Sequence, residues 1–328
     1  MTDAATADIT TKPLTPADLE AVIAIDEKIS GASRRGYFEK RLAAATECPQ
    51  DYVFVGVHAG DKLAGFAFAK LLAGEFGTEG ASAALDSIAV DPSLGLSGLG
   101  QKLLAAVEAV LRKKGVTRID SQIDWSQMPM LSFLAHMGFG MAPKVVLTRS
   151  TEVIAQKLAE DDDDDQELDF SDPDSDASNA LSRDRVPVRS MKETDLGRIV
   201  KMDAGHTGTE RPDYYARKLR EMMQQSGVRV SLVAEQDDHQ VGFIMARVDY
   251  GEFGRTTAEA VLDTIGVDAG YRSQGVGQVL MARLMSNLDA LGVDRVRTEV
   301  NWNDTALIDY FGAAGFAPAQ RISLTRTL

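Results

Sequence analysis

The sequence predicts an α/β protein made of two tandem copies of one domain, each a mixed sheet with helices on both faces. Three observations lead there. The chain has 328 residues, which suits two domains of about 140, each able to bury a core. A shift of 177 residues lays the second half on the first without a gap. Within each copy, the apolar spacing gives the order β-α-α-β-β-β-α-β-α-β.

The repeat is dense. GEFG at 74–77 falls on GEFG at 251–254, and LDSIAVD at 85–91 on LDTIGVD at 262–268. Gly98, Gly100 and Gln101 fall on Gly275, Gly277 and Gln278, Trp125 on Trp302, and Gly138-Phe139 on Gly315-Phe316. Between 74 and 139 there are 23 identities in 66 positions, too many for chance. The copies therefore span 8–150 and 186–328, with 151–185 between them.

In the second copy, Val186–Val188 begins an extended segment, and Leu196, Ile199, Val200 and Met202 mark a helix over Lys192–Asp203. Tyr214–Gln225 reads as a second helix, followed by strands at Val228–Glu235, Gln240–Asp249 and Ala260–Val267. After a glycine-rich turn, Val276, Val279, Leu280, Leu284, Leu288 and Leu291 form one helical face ending near Gly292. Arg295–Val300 is a strand, Thr305–Ala314 a helix, and Phe316–Thr327 a closing strand pair.

Charge is unevenly spread. Segment 151–185 holds thirteen acids and three bases, about ten of the fourteen net negative charges, so the folded parts are only mildly acidic. Poor in aromatic and β-branched residues, it reads as a flexible, self-repelling linker. Asp161, Asp163, Asp165, Glu167, Asp169 and Asp172 have EF-hand-like spacing, but Gln166 stands where the loop needs glycine and Asp172 where it needs glutamate, against calcium. Cys48 is single and the histidines 58, 136, 206 and 239 have no metal-ligand spacing, so no metal is expected. The start MTDAATADITTK lacks a secretory pattern and no stretch is long enough for a membrane span, which points to a cytoplasmic protein.

The segment Val267 to Gly277 joins a buried strand to a helix. Gly275 and Gly277 let backbone approach a ligand closely, and the helix-start N–H groups with Arg272 suit a pyrophosphate. Glycines of this kind also serve turns and tight packing.

In context the chain resembles the GCN5-related N-acetyltransferase (GNAT) superfamily, tandemly duplicated. The resemblance rests on Arg272-x-x-Gly275-x-Gly277 after LDTIGVD, and on Asn303-x-x-Ala306-x-x-x-Tyr310-x-x-x-x-Gly315-Phe316. It implies a mostly antiparallel sheet in each copy and acetyl-CoA as acyl donor. It also implies a pantetheine arm along Ile265 and Val267, a pyrophosphate on Arg272, Ser273, Gln274, Gly275, Val276 and Gly277, and Asn303 near the cofactor. Tyr310 resembles the general acid of many members, and Glu299 the general base of the ribosomal-protein acetylating branch.

The shift places Gly95 at Arg272, Gln122 at Glu299, Phe133 at Tyr310 and Ser126 at Asn303. The first copy keeps glycines and core but loses every group proposed for charge or proton transfer, so it is expected to be catalytically impaired. Loops 204–213, with His206 and Glu210, and 250–255, with Glu252, are where the family bounds its acceptor site. Glu75 repeats Glu252, which equally suits a turn residue of the duplicated fold.

The leading expectation is an acyltransferase acetylating a primary amine on a small molecule, a lysine or a protein N-terminus, as a monomer or homodimer. A non-catalytic acyl-CoA-binding regulator is the alternative. Nucleic acid is not an expected partner, because neither copy shows a basic patch and the acidic segment would repel phosphates. No membrane partner is expected.

Overall fold

The computed structural model describes residues 8–72, 81–95, 98–152, 186–224, 229–237 and 239–328. The first GEFG with Glu75, and the acidic segment beyond residue 152, lie outside these residues.

The first half runs β1 (Ile9–Pro13), α1 (Leu19–Ser30), α2 (Arg35–Glu47), β2 (Tyr52–Ala59), β3 (Lys62–Leu72), β4 (Ser82–Val90), α3 (Leu99–Lys113), β5 (Arg118–Asp124), α4 (Met128–His136), β6 (Gly140–Met141) and β7 (Lys144–Ser150). The second runs β8 (Val188–Ser190), α5 (Leu196–Thr207), α6 (Pro212–Gln224), β9 (Leu232–Gln236), β10 (His239–Tyr250), β11 (Ala258–Val267), α7 (Val276–Ala290), β12 (Arg295–Asn301), α8 (Thr305–Ala313), β13 (Ala317–Pro318) and β14 (Arg321–Thr327). The helix expected at 192–203 begins later. The Asp195 carboxylate accepts the Lys192 N–H at 2.7 Å and holds a 3₁₀ turn over 193–195 first.

Two seven-stranded mixed sheets result, ordered β1-β2-β3-β4-β5-β14-β6 and β13-β7-β12-β11-β10-β9-β8. The closing strands do not pair with each other as the sequence suggested: the halves exchange them. β14 lies antiparallel to β5, with Arg321 opposite Asp124 and Thr327 opposite Arg118. β7 lies antiparallel to β12, with Lys144 opposite Asn301 and Ser150 opposite Arg295. Turn chemistry supplies the reason. A two-residue hairpin needs positive φ at one or both central residues, which favours Gly and Asn. The connections here are Ala142-Pro143 and Ala319-Gln320, and none of these four residues has positive φ. The chain runs on into the other sheet instead.

Helix α3 seats Leu103, Leu104, Val107 and Leu111 on the first sheet, and α7 seats Val276, Leu280, Leu284 and Leu288 on the second. Each such leucine contributes about 1.5–3 kcal/mol by leaving water. Leu291, predicted on the same face, follows the last helical residue and is 45% exposed. The exchange reaches the cores: Val145 and Leu147 pack in the second half's core, Leu324 in the first's.

β4 and β5 are parallel and pair only at residues 82–84 with 118–120; β11 and β12 pair only at 260–261 with 296–297. Beyond those points each pair splays apart. Among the described residues no helix is long and apolar enough to cross a membrane.

Candidate active site

The splay of the second half is the first part of the site. Asp268 gives its N–H to Val241 O at 2.8 Å, so the alternation of an antiparallel strand turns the N–H and C=O of Ile265 and Val267 away from β10, toward the open side. Among the described residues no strand lies beside that edge.

The loop that follows is held from below. Asp268 accepts the Gly270 N–H at 3.0 Å, and Gln274 Nε2 donates to Gly270 O at 3.1 Å. Ser273 has φ of 59° and Gly275 of 76°, a pair of left-handed residues that turns the chain into α7. No side chain caps that helix start, so its first N–H groups face outward. The Val276 side chain is core. Arg272 is exposed, and its Nη2 donates to His206 Nδ1 at 2.6 Å. His206 Nε2 in turn donates to Val267 O at 2.8 Å, so the ring is the neutral Nε2–H tautomer. Asn303 is exposed in the turn before α8.

Tyr310 lies against the first turn of α7, its hydroxyl donating to Gly277 O at 2.9 Å. A Cβ on Gly277 would come within 3.3 Å of the tyrosine ring and oxygen, so glycine makes this shelf. Burial pushes the hydroxyl above its ordinary pKa, and it stays protonated at neutral pH. The first half repeats the shelf without the hydroxyl: Phe133 lies against Gly100, where a Cβ would come within 3.0 Å of its ring.

Glu299, on β12, lies elsewhere. It lines a charged cleft of about 700 Å³, open mouth included, walled by both halves; Tyr310 is not among the residues lining it. The Glu299 carboxylate accepts from the Ser323 hydroxyl and from Lys144 Nζ at 3.4 Å. Ser323 and Lys144 are on β14 and β7, so the strand exchange itself builds the surroundings of Glu299.

Glu252 is neither exposed nor free to meet an acceptor. It accepts from Arg41 at 2.7 Å, Arg247 at 2.9 Å and Arg297. Burial alone would raise its pKa, but Arg247, Arg297 and Arg41 together hold it well below the usual carboxylate range. The turn-residue reading fits it. His206, from the other loop, lies with Arg272 at the open edge of β11.

Sequence reasoning missed Lys144, Lys70 and the aspartates Asp86 and Asp263 as cleft residues. The aspartates left a signal, since both copies keep them in LDSIAVD and LDTIGVD. Each sits at a β-bulge, where the register of the neighbouring strand shifts between Phe68 and Ala69 or between Met245 and Ala246. Among the described residues no group of three or more His, Cys, Asp or Glu side chains could hold a metal ion.

Comparison with known proteins agrees on the fold. A tandem GNAT protein from the clavulanic acid biosynthesis pathway superposes with a TM-score of 0.62 at 14% identity, over 98% of each chain. A GCN5-related N-acetyltransferase from Sphaerobacter thermophilus superposes at 0.56 with 16% identity, over 97% of this chain and 95% of that one. The GCN5-related glucosamine N-acetyltransferase region of a fungal multi-domain GH3 β-N-acetylglucosaminidase gives 0.63 at 16% identity, over 98% of this chain. This chain spans 38% of that fungal protein. No curated protein matches the sequence. The profile of the acetyltransferase (GNAT) family matches twice, over residues 22–139 and 199–316, and the chain belongs to that family.

Proposed function

We propose that the protein is an N-acetyltransferase moving an acetyl group from acetyl-CoA to a primary amine, with the second half (186–328) as the catalyst. The first half (8–150), joined to it through 151–185, acts as a wall of the acceptor cleft. One observation carries the division of labour: both halves keep the splay and the glycine shelf, but only the second lays a protonated hydroxyl, Tyr310, on that shelf.

Acetyl-CoA supplies the activated thioester. The free edge of Ile265 and Val267 would hold its pantetheine arm. The N–H groups from Ser273 to Gly277, with Arg272, would hold the pyrophosphate, and Asn303 would flank it. For this Arg272 has to leave His206, and His206 the Val267 carbonyl. Glu299 would take the proton of the acceptor ammonium, and Tyr310 would donate one to the departing thiolate. The acceptor is a small molecule, a lysine or a protein N-terminus, and the setting is cytoplasmic.

Calorimetry with acetyl-CoA on the intact protein and on Arg272→Glu tests the cofactor assignment. One tight site lost in the variant is expected; two sites, or one that survives, would place cofactor in the first half. Tyr310→Phe should then lower kcat by about 10²-fold or more while leaving acetyl-CoA affinity within a few-fold. An unchanged kcat would remove Tyr310 from the chemistry.

A further inference from the structure

The charged cleft lies where the halves face each other with equivalent residues. Lys70 and Arg247, Asp86 and Asp263, Gln122 and Glu299 all line it, and each pair is related by the 177-residue shift. The acceptor sides of both splays therefore open into one chamber.

Most charges in the chamber are matched. Lys70 bonds Glu221 at 2.9 Å. Asp263 has Lys218 at 3.3 Å and Arg247 at 3.4 Å, and Glu299 has Lys144 and Ser323. Glu252 has three arginines. On the first half's side two acceptors go unmet among the described residues. Asp86, 5% exposed, has no hydrogen-bond donor among the described residues: Arg41 Nη2 lies at 3.7 Å, beyond hydrogen-bonding distance, because that nitrogen serves Asp249 at 2.9 Å and Glu252 at 2.7 Å, and Lys70 acts on it only through its charge. Gln122, 4% exposed and lining the same chamber, has its Oε1 buried without a partner among the described residues. A buried carboxylate and a buried amide oxygen, both without hydrogen-bond donors among the described residues, together suit a cation with several N–H groups.

We propose that Asp86 and Gln122 form an ammonium subsite, so that the acceptor is a small diamine. One amino group is held by the first half while the other is presented to Glu299. This rests on the catalytic role of the second half proposed above. It also gives the first half a reason to keep an aspartate at its bulge: it is the half that recognises the acceptor. Burial, and next the nearby Glu252 charge, push Asp86 up to about 7, and a bound ammonium would return it to the ionised form.

The test uses the full chain with 1,4-diaminobutane and 1-aminobutane as acceptors, reading thiol release from acetyl-CoA, and calorimetry of 1,4-diaminobutane binding alone. Asp86→Asn is expected to cut the preference in kcat/KM for the diamine over the monoamine by at least about tenfold, mainly through KM. Gln122→Leu should do the same in smaller measure. Both should weaken diamine binding in calorimetry, with acetyl-CoA affinity as the check on folding. Diamine binding lost in the variants, but no turnover with any amine, would sustain the subsite and reject the catalytic reading. An unaltered diamine preference in both variants, or no diamine binding to the parent protein, overturns the subsite.

Discussion

Asp86 shows how one residue can be costly to the empty fold. Burial first, and then the Glu252 charge, push its carboxyl up to about 7 in the folded protein, from an ordinary value of 3.8. Between those values the unfolded chain has released the proton and the folded one has kept it. Stability therefore falls as pH rises from about 4 to about 7, and the full penalty persists above that. Asp86→Asn removes the penalty and leaves Arg41 its bonds to Asp249 and Glu252. Its melting temperature should match or fall below the parent's at pH 4 and exceed it at pH 8, by several degrees. Thermal denaturation across that range checks the sign, and a variant less stable at pH 8 would mean that Asp86 is a stabilising ion pair.

At the scale of elements, the site depends on where α7 begins, and Gly242 on β10 sets that position. A Cβ there would lie 2.8 Å from Val276 Cγ1 and 3.1 Å from Leu280 Cδ1, so glycine lets the first turn of α7 sit directly on the sheet. Gly242→Ala should push that turn outward, costing about 1–3 kcal/mol by overpacking and weakening acetyl-CoA binding together. Denaturation and calorimetry on the same sample read both, and a stability loss with unchanged affinity would uncouple the helix start from the cofactor. Much at this scale was legible: the α7 face, the loop and the Tyr310-to-Phe133 replacement follow from side-chain type and spacing. The partner of each closing strand was not. β7 (KVVLTRS) and β14 (RISLTRT) have the same pattern and their ladders are backbone, so either strand suits either sheet. Only the turn-poor Ala142-Pro143 and Ala319-Gln320 hinted at exchange. The ion pairs from Arg41 to Glu252 and from Lys70 to Glu221 join residues 211 and 151 positions apart, and no local pattern encodes them.

At the scale of the whole molecule, the exchange makes each half depend on the other for its sheet and its core. Residues 186–328 alone would lose β7, which pairs along all seven residues with β12 and brings Val145 and Leu147 into the core. Burial of these two side chains contributes about 1.5–3 kcal/mol each, and their loss comes with an unpaired strand edge and a β14 that has no β5 to join. The segment's own cure is a second copy. β14 of one molecule can lie beside β12 of the other, because it carries the pattern of β7 and the register is equivalent. Expressed alone, 186–328 should therefore run as a strand-exchanged dimer or aggregate, as read by size exclusion with light scattering, and adding 8–150 should recover a one-to-one complex. The dimer would lack Asp86 and carry Asp263 and Glu299 on both sides of its chamber, so acetyl-CoA binding should survive while any diamine preference is lost. A cooperative, folded monomer of 186–328 would show that the exchange is dispensable and that β14 can close its own sheet.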